Sequence, residues 1–183
     1  ELMTELPPDH AADILEAMSP DDAADVLDDM DDAHQKRLLR RMEKEEAADV
    51  QTLMRFDPET AGGVMNTEVM VLEQELTVDD AISMIRNAVE DTEIPYYAYV
   101  VNGEETLIGV LSLRDLMMAK PGKHLSDLVQ DQNLITVLYN KDREEVAHLI
   151  AHYNFLAMPV VDNEGKLLGV VTHDDVIDII HEE

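Results

Sequence analysis

The chain contains no cysteine and no tryptophan, and aromatic residues make up only 4% of its 183 residues. The absence of cysteine excludes disulfide bonds, thiolate metal ligands and cysteine nucleophiles, and it is typical of a reducing compartment. No run of about 18 apolar residues is present, so no segment is predicted to span a bilayer. No secretory signal pattern occurs either. Because the sequence begins at Glu1, inside a repeat, we expect it to be part of a longer protein.

Basic residues are also scarce, since 13 of them face 41 acidic residues and the net charge is -28. Residues 1–60 contain 18 acidic and 6 basic residues, and residues 61–183 contain 23 and 7, so both halves are acidic. Contact between two such halves brings like charges together and is unfavourable unless a cation lies between them. The composition therefore predicts association that depends on a divalent cation. It argues against nucleic acid as a partner, because phosphates require a basic surface.

A short repeat fills the first third of the chain, with units at 7–18, 19–30, 31–42 and 43–54. Each unit opens with turn or helix-capping residues, such as Ser19 followed by Pro20. Apolar residues then recur at helical spacing. Each unit ends on a methionine: Met18, Met30, Met42 and Met54. A unit of this length allows about two turns of helix and a connection, too short to be stable alone, so the helices are predicted to stack as a solenoid.

A second, longer repeat relates the two parts of the remaining chain, because residues 99–115 align without gaps on residues 159–175. Amphipathic helices are predicted before the two copies, at about 78–89 and 142–152. Asparagine-glycine and aspartate-to-glycine turns indicate a hairpin inside each copy. Each copy is therefore predicted to be an α+β unit of helix, strand, turn, strand and helix, and the two units are predicted to pack as a pseudo-symmetric pair.

The segment between the two repeats, DPETAGGVMNTE at residues 57–68, interrupts the helical pattern with Pro58 and with Gly62 and Gly63. We place the domain boundary here. The predicted domains are an acidic helical-repeat domain at 1–60, a linker with the first α+β unit at 61–125, and the second α+β unit with the start of a connecting helix at 126–183.

The motifs GVLSLRD at 109–115 and GVVTHDD at 169–175 resemble those of a tandem pair of cystathionine β-synthase (CBS) domains. The short helical repeats, joined through TAGGVM at 60–65, resemble the N-domain of MgtE-type magnesium channels. The resemblance covers essentially the whole chain. It implies an α-helical, superhelical N-domain followed by an α+β CBS pair, at the cytoplasmic face of the membrane. It also implies a magnesium sensor that gates the transmembrane pore domain of the same full-length protein, and a homodimer formed through the CBS domains.

The resemblance implies magnesium ligands on two helices, with Asp21 and Asp25 on the N-domain and Asp175 and Asp178 on the last CBS helix. The spacings of four and three positions place each pair on one helix face. Other roles compete with this one. Asp21 suits a helix N-terminus, where an acid complements the dipole, and Asp175 forms a capping-box pattern with Thr172.

A further cluster within the CBS pair is implied at Glu144, the carbonyl of Ala151 and Asn154. The chain departs from the family pattern at Asn154, where an aspartate is usual. A neutral amide coordinates through oxygen but contributes less charge, so we expect a lower metal load here.

An adenine-nucleotide sensor is the alternative function, with ATP as ligand and magnesium only as a screening ion. The resemblance implies that Asp115 holds the ribose, that Tyr97 and Phe155 line the adenine pocket, and that Arg114 meets phosphate. The chain contains no P-loop, and a purely structural role for the aromatic residues is the competing interpretation. No nucleophile–base arrangement stands out, so the chain is predicted not to be an enzyme.

Overall fold

The N-terminal part consists of four short helices, and each begins at the second position of one unit of the short repeat. The computed structural model describes residues 6–88 and 97–181, with backbone only from residue 178 onward. The first helices begin with proline at the first turn, where a missing N–H is harmless. The four helices are α1 (Pro8–Glu16), α2 (Pro20–Asp28), α3 (Asp32–Leu39) and α4 (Lys44–Leu53).

These helices are too short to persist alone and are held by packing of one apolar stripe each. Helix α1 packs on α3, and α2 packs on α4. One fully or nearly fully buried leucine comes from each helix: Leu15, Leu27, Leu38 and Leu53. The exposed faces carry most of the acidic residues, so the predicted solenoid-like helical domain is confirmed.

The remainder of the chain folds as two α/β units with the same order of elements. The first unit contains β1 (Met70–Glu73), α5 (Val78–Ala88), β2 (Tyr97–Val101), β3 (Leu107–Ser112), α6 (Leu113–Met118) and α7 (Leu125–Val129). The second contains β4 (Val137–Leu138), α8 (Arg143–Tyr153), β5 (Ala157–Val161), β6 (Leu167–Thr172) and α9 (His173–His181).

Each unit has a three-stranded sheet in which the first strand pairs parallel with the second and the second pairs antiparallel with the third. The register shifts at the same place in both units, between Val100 and Val101 and between Val160 and Val161. These positions are equivalent in the two copies of the longer repeat, so the irregularity belongs to the repeat. The predicted tandem α+β pair is confirmed.

The linker between the helical domain and the first unit lies against the second unit. Ala61 and Gly62 donate backbone hydrogen bonds to the carbonyls of Lys141 (2.7 Å) and Tyr139 (2.7 Å). Asn66 exchanges backbone hydrogen bonds of 2.7 and 2.9 Å with Val170, on the edge strand β6. We call residues 59–66 the linker strap. It carries the chain across the second unit before β1 begins.

Two glycines make the close crossing of the strap possible. A Cβ on Gly169 would lie 2.5 Å from the carbonyl oxygen of Asn66, and a Cβ on Gly62 would lie 2.7 Å from the ring of Phe56. Both distances are too short for a real Cβ contact, so only glycine fits at these positions.

The apolar core of the helical domain is continuous with that of the second unit through the strap. Ala61 and Met65 are buried in the same cluster as Leu53 on one side and Ile150 on the other. The first unit has its own core, which is centred on Leu72, Val100 and Leu111. The helical domain is therefore fastened to the second unit, although the sequence connects it to the first.

Candidate functional site: an acidic interface and an apolar pocket

Asp21 is the buried acidic residue of the helical domain. It follows Pro20 in the first turn of α2, and only 8% of its surface is exposed. Its Oδ1 atom is buried and has no hydrogen-bond partner among the described residues. Burial raises the pKa of the Asp21 carboxyl, and the charge of Asp22 acts in the same direction. A buried carboxylate oxygen without a partner is costly, so Asp21 favours a cation at this interface.

Asp175 lies in the first turn of α9, the last helix of the second unit. Its Oδ2 atom accepts hydrogen bonds from the backbone N–H (2.7 Å) and the hydroxyl (2.6 Å) of Thr172, as the capping pattern predicts. Burial raises the pKa of Asp175 to about 6, and the charges of Asp21 and Asp174 contribute to the increase. The capping bonds engage one carboxylate oxygen, so capping does not exclude a ligand role for the other.

The structure brings Asp21 and Asp175 together across the interface between the helical domain and the second unit. The charge of Asp21 contributes to the raised pKa of Asp175, so the two carboxylates lie within electrostatic range of each other. The Thr172 hydroxyl and backbone N–H stabilise the ionised form of Asp175 but do not compensate its burial. Both acids are thus partly desolvated and repel each other, and a cation between them would relieve that repulsion.

The structure shows the side-chain position of only one of the other two predicted interface ligands, Asp25 and Asp178. Asp25 lies one turn after Asp21 on α2, and its side chain is exposed. Asp178 lies on α9, but its side chain falls outside the described atoms. The structure therefore places Asp25 on the adjoining surface, and the role of Asp178 remains a prediction.

Glu68 is an interface acid that the sequence analysis missed. It follows the linker strap, and its backbone N–H donates to the side-chain carbonyl of Asn66 at 2.7 Å. Partial burial raises the pKa of Glu68, and the charges of Glu46, Asp49 and Asp21 add to the effect. Sequence spacing could not reveal this group of acids, because Asp21 lies on α2, Glu46 and Asp49 lie on α4, and Glu68 follows the linker strap. They come near one another only after folding.

The predicted cluster within the second unit is spread along one helix. Glu144 lies in the first turn of α8, whereas Ala151 is in its last turn and Asn154 caps its end in a left-handed conformation with φ of 53°. The helix between Glu144 and Ala151 corresponds to a rise of about 10 Å, so Glu144 and the Ala151 carbonyl do not converge within one chain. The Ala151 carbonyl also accepts a bond from the Asn154 N–H at 3.4 Å.

An apolar pocket of about 230 Å³ lies between the two units. Tyr97 and Phe155, the two residues predicted to hold adenine, both line it. Phe155 also stacks on Tyr153, with ring centroids 5.4 Å apart. The other lining residues are Val110, Gln132, Asn133, Leu134, Ile135, Ala157 and Pro159. The pocket can take a flat aromatic ring, but it is smaller than most sites for whole cofactors, which occupy about 300–1,000 Å³.

Arg114 and Asp115 do not line this pocket. Both are exposed at the start of α6, which follows β3 directly. The Asp115 carboxylate accepts hydrogen bonds from the backbone N–H (2.8 Å) and the hydroxyl (2.6 Å) of Ser112, in a capping box. If these residues bind ribose and phosphate as predicted, they do so outside the pocket that Tyr97 and Phe155 line.

A larger and more open cleft, of about 630 Å³, lies at the hairpin turns of the two units. Four glutamates and one lysine line it together with Gly103: Glu73, Glu104, Glu105, Glu164 and Lys166. Lys166 is 3.9 Å from Glu105. An excess of negative charge repels phosphate, so this cleft is unsuited to a nucleotide.

The donor set at the Asp21–Asp175 interface fits magnesium. Mg²⁺ prefers oxygen ligands and keeps several of its waters, so one or two carboxylates suffice. Within residues 6–88 and 97–177 no three acidic or histidine side chains converge tightly enough to enclose an ion. That geometry suits a hydrated cation bridging two surfaces better than a closed cage.

Matches to family models agree with this architecture. Residues 1–59 match the MgtE intracellular N domain, and residues 61–122 and 125–182 match the CBS domain. Two solved structures resemble the chain closely. One is "the soluble part of a magnesium transporter", with a TM-score of 0.91 and 38% identity over 98% of this chain and 70% of that one. The other is "the cytosolic domain of the Mg2+ channel MgtE in complex with ATP", with a TM-score of 0.86 and 37% identity over 97% and 77%.

The fold and these matches define a regulatory tandem CBS protein with an acidic helical N-domain. The chain belongs to the MgtE family of magnesium transporters. The magnesium transporter MgtE of Thermus thermophilus is 39% identical over 153 residues, and that of Enterococcus faecalis is 40% identical over 139 residues. The chain spans about a third of their length (34% and 30%). The predicted assignment to the cytosolic part of such a transporter is confirmed. In the part of the chain that the structure describes, no helix is both long and apolar enough for a bilayer crossing.

Proposed function

We propose that this chain is the magnesium-sensing region of a magnesium channel or transporter, and that Mg²⁺ between Asp21 and Asp175 holds the N-domain against the second CBS domain. The buried Oδ1 atom of Asp21, which lacks a hydrogen-bond partner among the described residues, carries the proposal. Asp25, Glu68 and Asp178 add negative charge around the ion. This role is binding and gating, not catalysis.

The mechanism is a two-state equilibrium between a closed arrangement and an open one. Magnesium binds the closed arrangement more tightly, because only there do acids of both domains face one ion, and it shifts the population accordingly. Without the ion, the same acids repel each other and favour opening. Closure then positions the helices that lead from α9 to the pore domain of the full-length protein, and the pore shuts.

The linker strap supports this mechanism by limiting the motion. Its hydrogen bonds to Tyr139, Lys141 and Val170 do not depend on any acid of the interface. The strap keeps the N-domain beside the second CBS domain in both states, so reclosure is an intramolecular event with a high effective concentration.

The test is a magnesium titration at constant ionic strength, followed by small-angle scattering and by protease resistance. We expect Mg²⁺ to compact and protect the chain well beyond the effect of matched Na⁺. Asp21→Asn combined with Asp175→Asn should remove the difference, whereas Asp13→Asn, an exposed acid on α1, should leave it. An identical radius of gyration in chelator and in excess Mg²⁺ would overturn the proposal.

An adenine nucleotide is a second candidate ligand, favoured by the pocket that Tyr97 and Phe155 line. A related cytosolic domain was solved "in complex with ATP". In this chain the base would enter the pocket, and Arg114 and Asp115 would meet the ribose and phosphates outside it. Calorimetry with ATP tests this role. We expect Phe155→Ala to remove the heat signal and Asp25→Asn to leave it.

A homodimer through the CBS domains is also proposed, since it would place two closing N-domains around one pore. Analytical ultracentrifugation of the chain tests the dimer directly. A monomer at all concentrations would contradict it without affecting the intramolecular magnesium contact.

A further inference from the structure

Positive charge is concentrated in one short stretch of this acidic chain. Five of the 13 basic residues fall within positions 36–44, where Glu43 is the only acid. They occupy the end of α3 and the turn that leads into α4. We call this group the basic turn: Lys36, Arg37, Arg40, Arg41 and Lys44.

All five side chains are exposed, and four of them lie on one surface. Helix α3 ends at Leu39, but Arg40 keeps a right-handed helical conformation, and Arg41 and Met42 donate backbone bonds to the Leu38 carbonyl at 2.8 and 3.1 Å. Residues spaced by three and four along such a turn are neighbours on its surface. Lys36, Arg37, Arg40 and Arg41 therefore form one continuous cationic patch.

Most of this charge is not neutralised within the chain. Arg41 pairs with Asp9, and Lys36 is 4.0 Å from Asp32. The side chains of Arg37, Arg40 and Lys44 have no ion pair or hydrogen bond among the residues that the structure describes. Acids outnumber bases about threefold in the sequence (41 to 13). Arg37 and Arg40, which are adjacent on the patch and unpaired among the described residues of such an acidic chain, point to an external anionic partner.

The helix dipole explains only part of the pattern. Lys36 and Arg37 lie in the last turn of α3, where a cation is favourable by about 0.3–1 kcal/mol. Arg40 and Arg41 continue that turn and also benefit from the dipole, but Lys44 lies at the start of α4, where the dipole does not favour a cation. Guanidinium groups also suit phosphate, because they bind it through two parallel hydrogen bonds.

The patch of Lys36, Arg37, Arg40 and Arg41 lies on a different layer from the proposed magnesium interface, whereas Lys44 begins α4. Helix α3 packs on α1, whereas Asp21, Glu46 and Asp49 belong to the paired helices α2 and α4. The N-domain therefore has an acidic layer that faces the second CBS domain and a cationic patch on the α1–α3 layer. A partner on the patch does not compete with the cation between Asp21 and Asp175.

We propose that the basic turn docks on the phosphate groups of anionic phospholipids at the cytoplasmic surface of the membrane. The chain belongs to the MgtE family of magnesium transporters, so an anionic bilayer is an extended anionic surface that the full-length protein meets. Each basic residue near an anionic bilayer contributes about 1 kcal/mol. Asp9 and Asp32 are already paired with Arg41 and Lys36, and acids farther than about 10 Å from the patch oppose the contact weakly, because they are screened at 0.1 M salt.

The experiment is co-sedimentation of the chain with vesicles of phosphatidylcholine alone or of phosphatidylcholine mixed with phosphatidylglycerol. It is performed in a chelator, so that divalent cations do not bridge acids to lipid. We expect binding to the mixed vesicles only. Arg37→Gln with Arg40→Gln should lower the partition coefficient by roughly tenfold or more. Lys120→Gln with Lys123→Gln removes two exposed cations of the first CBS domain and is the matched control.

Two outcomes would overturn the proposal. The first is no preference of the unmodified chain for the mixed vesicles, and the second is an equal loss in both double variants. Sedimentation velocity without lipid is the check on a second copy as the partner: a lower self-association of the arginine variant would assign the patch to that contact instead. The magnesium-dependent protease protection of the arginine variant should stay unchanged, so the lipid contact and the magnesium switch are tested separately.

Discussion

Asp115 and Asp175 show how one residue type acquires two roles at equivalent positions of a repeat. Each accepts two hydrogen bonds from the Ser or Thr three positions earlier. Asp115 stays exposed, whereas the N-domain covers Asp175, and burial raises its pKa to about 6. The local motif is therefore a structural cap in both copies, and the covering domain makes one copy electrostatically responsive.

Replacing Asp21 by asparagine should have opposite effects with and without magnesium. In chelator, Asp21→Asn removes a buried charge whose Oδ1 atom has no hydrogen-bond partner among the described residues, so we expect the free energy of unfolding to rise by about 1–2 kcal/mol. In excess Mg²⁺ the same variant should gain little from the ion. Chemical denaturation in both conditions measures the two effects. A loss of stability in chelator equal to that in Mg²⁺ would mean that Asp21 is only a packing residue.

The pH dependence follows from the sign of the Asp175 shift. Its folded-state pKa of about 6 lies above the ordinary value of about 4. The folded chain therefore binds the proton more tightly than the unfolded chain, and stability in chelator should fall as pH rises from about 4 to 6. Protons also compete with Mg²⁺, so the magnesium midpoint should increase as pH drops below about 6. Thermal unfolding in chelator across this range measures the first trend, and magnesium titrations at the same pH values measure the second.

Asp175→Asn provides the control for that series, because it removes the titrating group and keeps the side-chain shape. The slope between pH 4 and 6 should become flatter in the variant. An unchanged slope would assign the pH dependence to other acids, such as Glu68, whose pKa is also raised.

At the level of elements, much of the architecture could be predicted from the sequence. The helix starts at Pro8, Pro20, Asp32 and Lys44 follow the period of the short repeat, because capping residues and apolar spacing are local signals. The matching strands of the two CBS domains follow from the longer repeat. The path of the linker strap could not be predicted, since its pairing with Val170 joins distant segments of the sequence and has no local signature.

Contacts between distant segments, which have no local signature in the sequence, also decide which of the predicted site residues lie together in the structure. Asp21 and Asp175 were identified through the family resemblance, and folding places them on one interface. Tyr97 and Phe155 line one apolar pocket, and their role in binding adenine stays a prediction. Glu68 was missed because its acidic neighbours come from other elements. Glu144 and Asn154 share one helix, but they lie at opposite ends of it.

Gly169 is the element-scale position most sensitive to change. In Gly169→Ala the new Cβ would lie 2.5 Å from the Asn66 carbonyl oxygen and 3.1 Å from Met65. We expect a loss of about 2 kcal/mol or more, as for other overpacked sites, because the strap must leave the edge of β6. Gly103→Ala is the control, since its Cβ would meet nothing within 4 Å. Urea denaturation compares the two, and equal effects would contradict the close-crossing explanation.

For the whole molecule, the proposed mechanism divides the contact between the N-domain and the second CBS domain into two parts, of which only one should respond to magnesium. The strap is held by backbone hydrogen bonds and by the Glu59–Arg143 ion pair at 3.2 Å. In the proposed mechanism the acids of α2 and α4 repel the second CBS domain unless a cation is present, and this repulsion opposes the shared apolar core. Opening should therefore pivot between the end of α4 and the strap.

Hydrogen exchange measures this division directly. On chelation of Mg²⁺, we expect faster exchange in peptides from α2 and α4. The amides of Ala61, Gly62 and Asn66 should remain protected, because their acceptors lie in the second CBS domain. Equal acceleration at the strap would show that the whole N-terminal third separates as one body, and would place the pivot at or after Asn66.

The path of the strap also has a consequence for biosynthesis. The N-domain and the strap leave the ribosome long before Val170, the residue that Asn66 pairs with. At roughly 5–20 residues per second, the nascent helices wait on the order of 5–20 s with one apolar edge uncovered. During that interval a neighbouring nascent chain on the same polysome exposes the same apolar edge. The order of the elements along the chain therefore creates a specific risk that two nascent copies associate before either has folded.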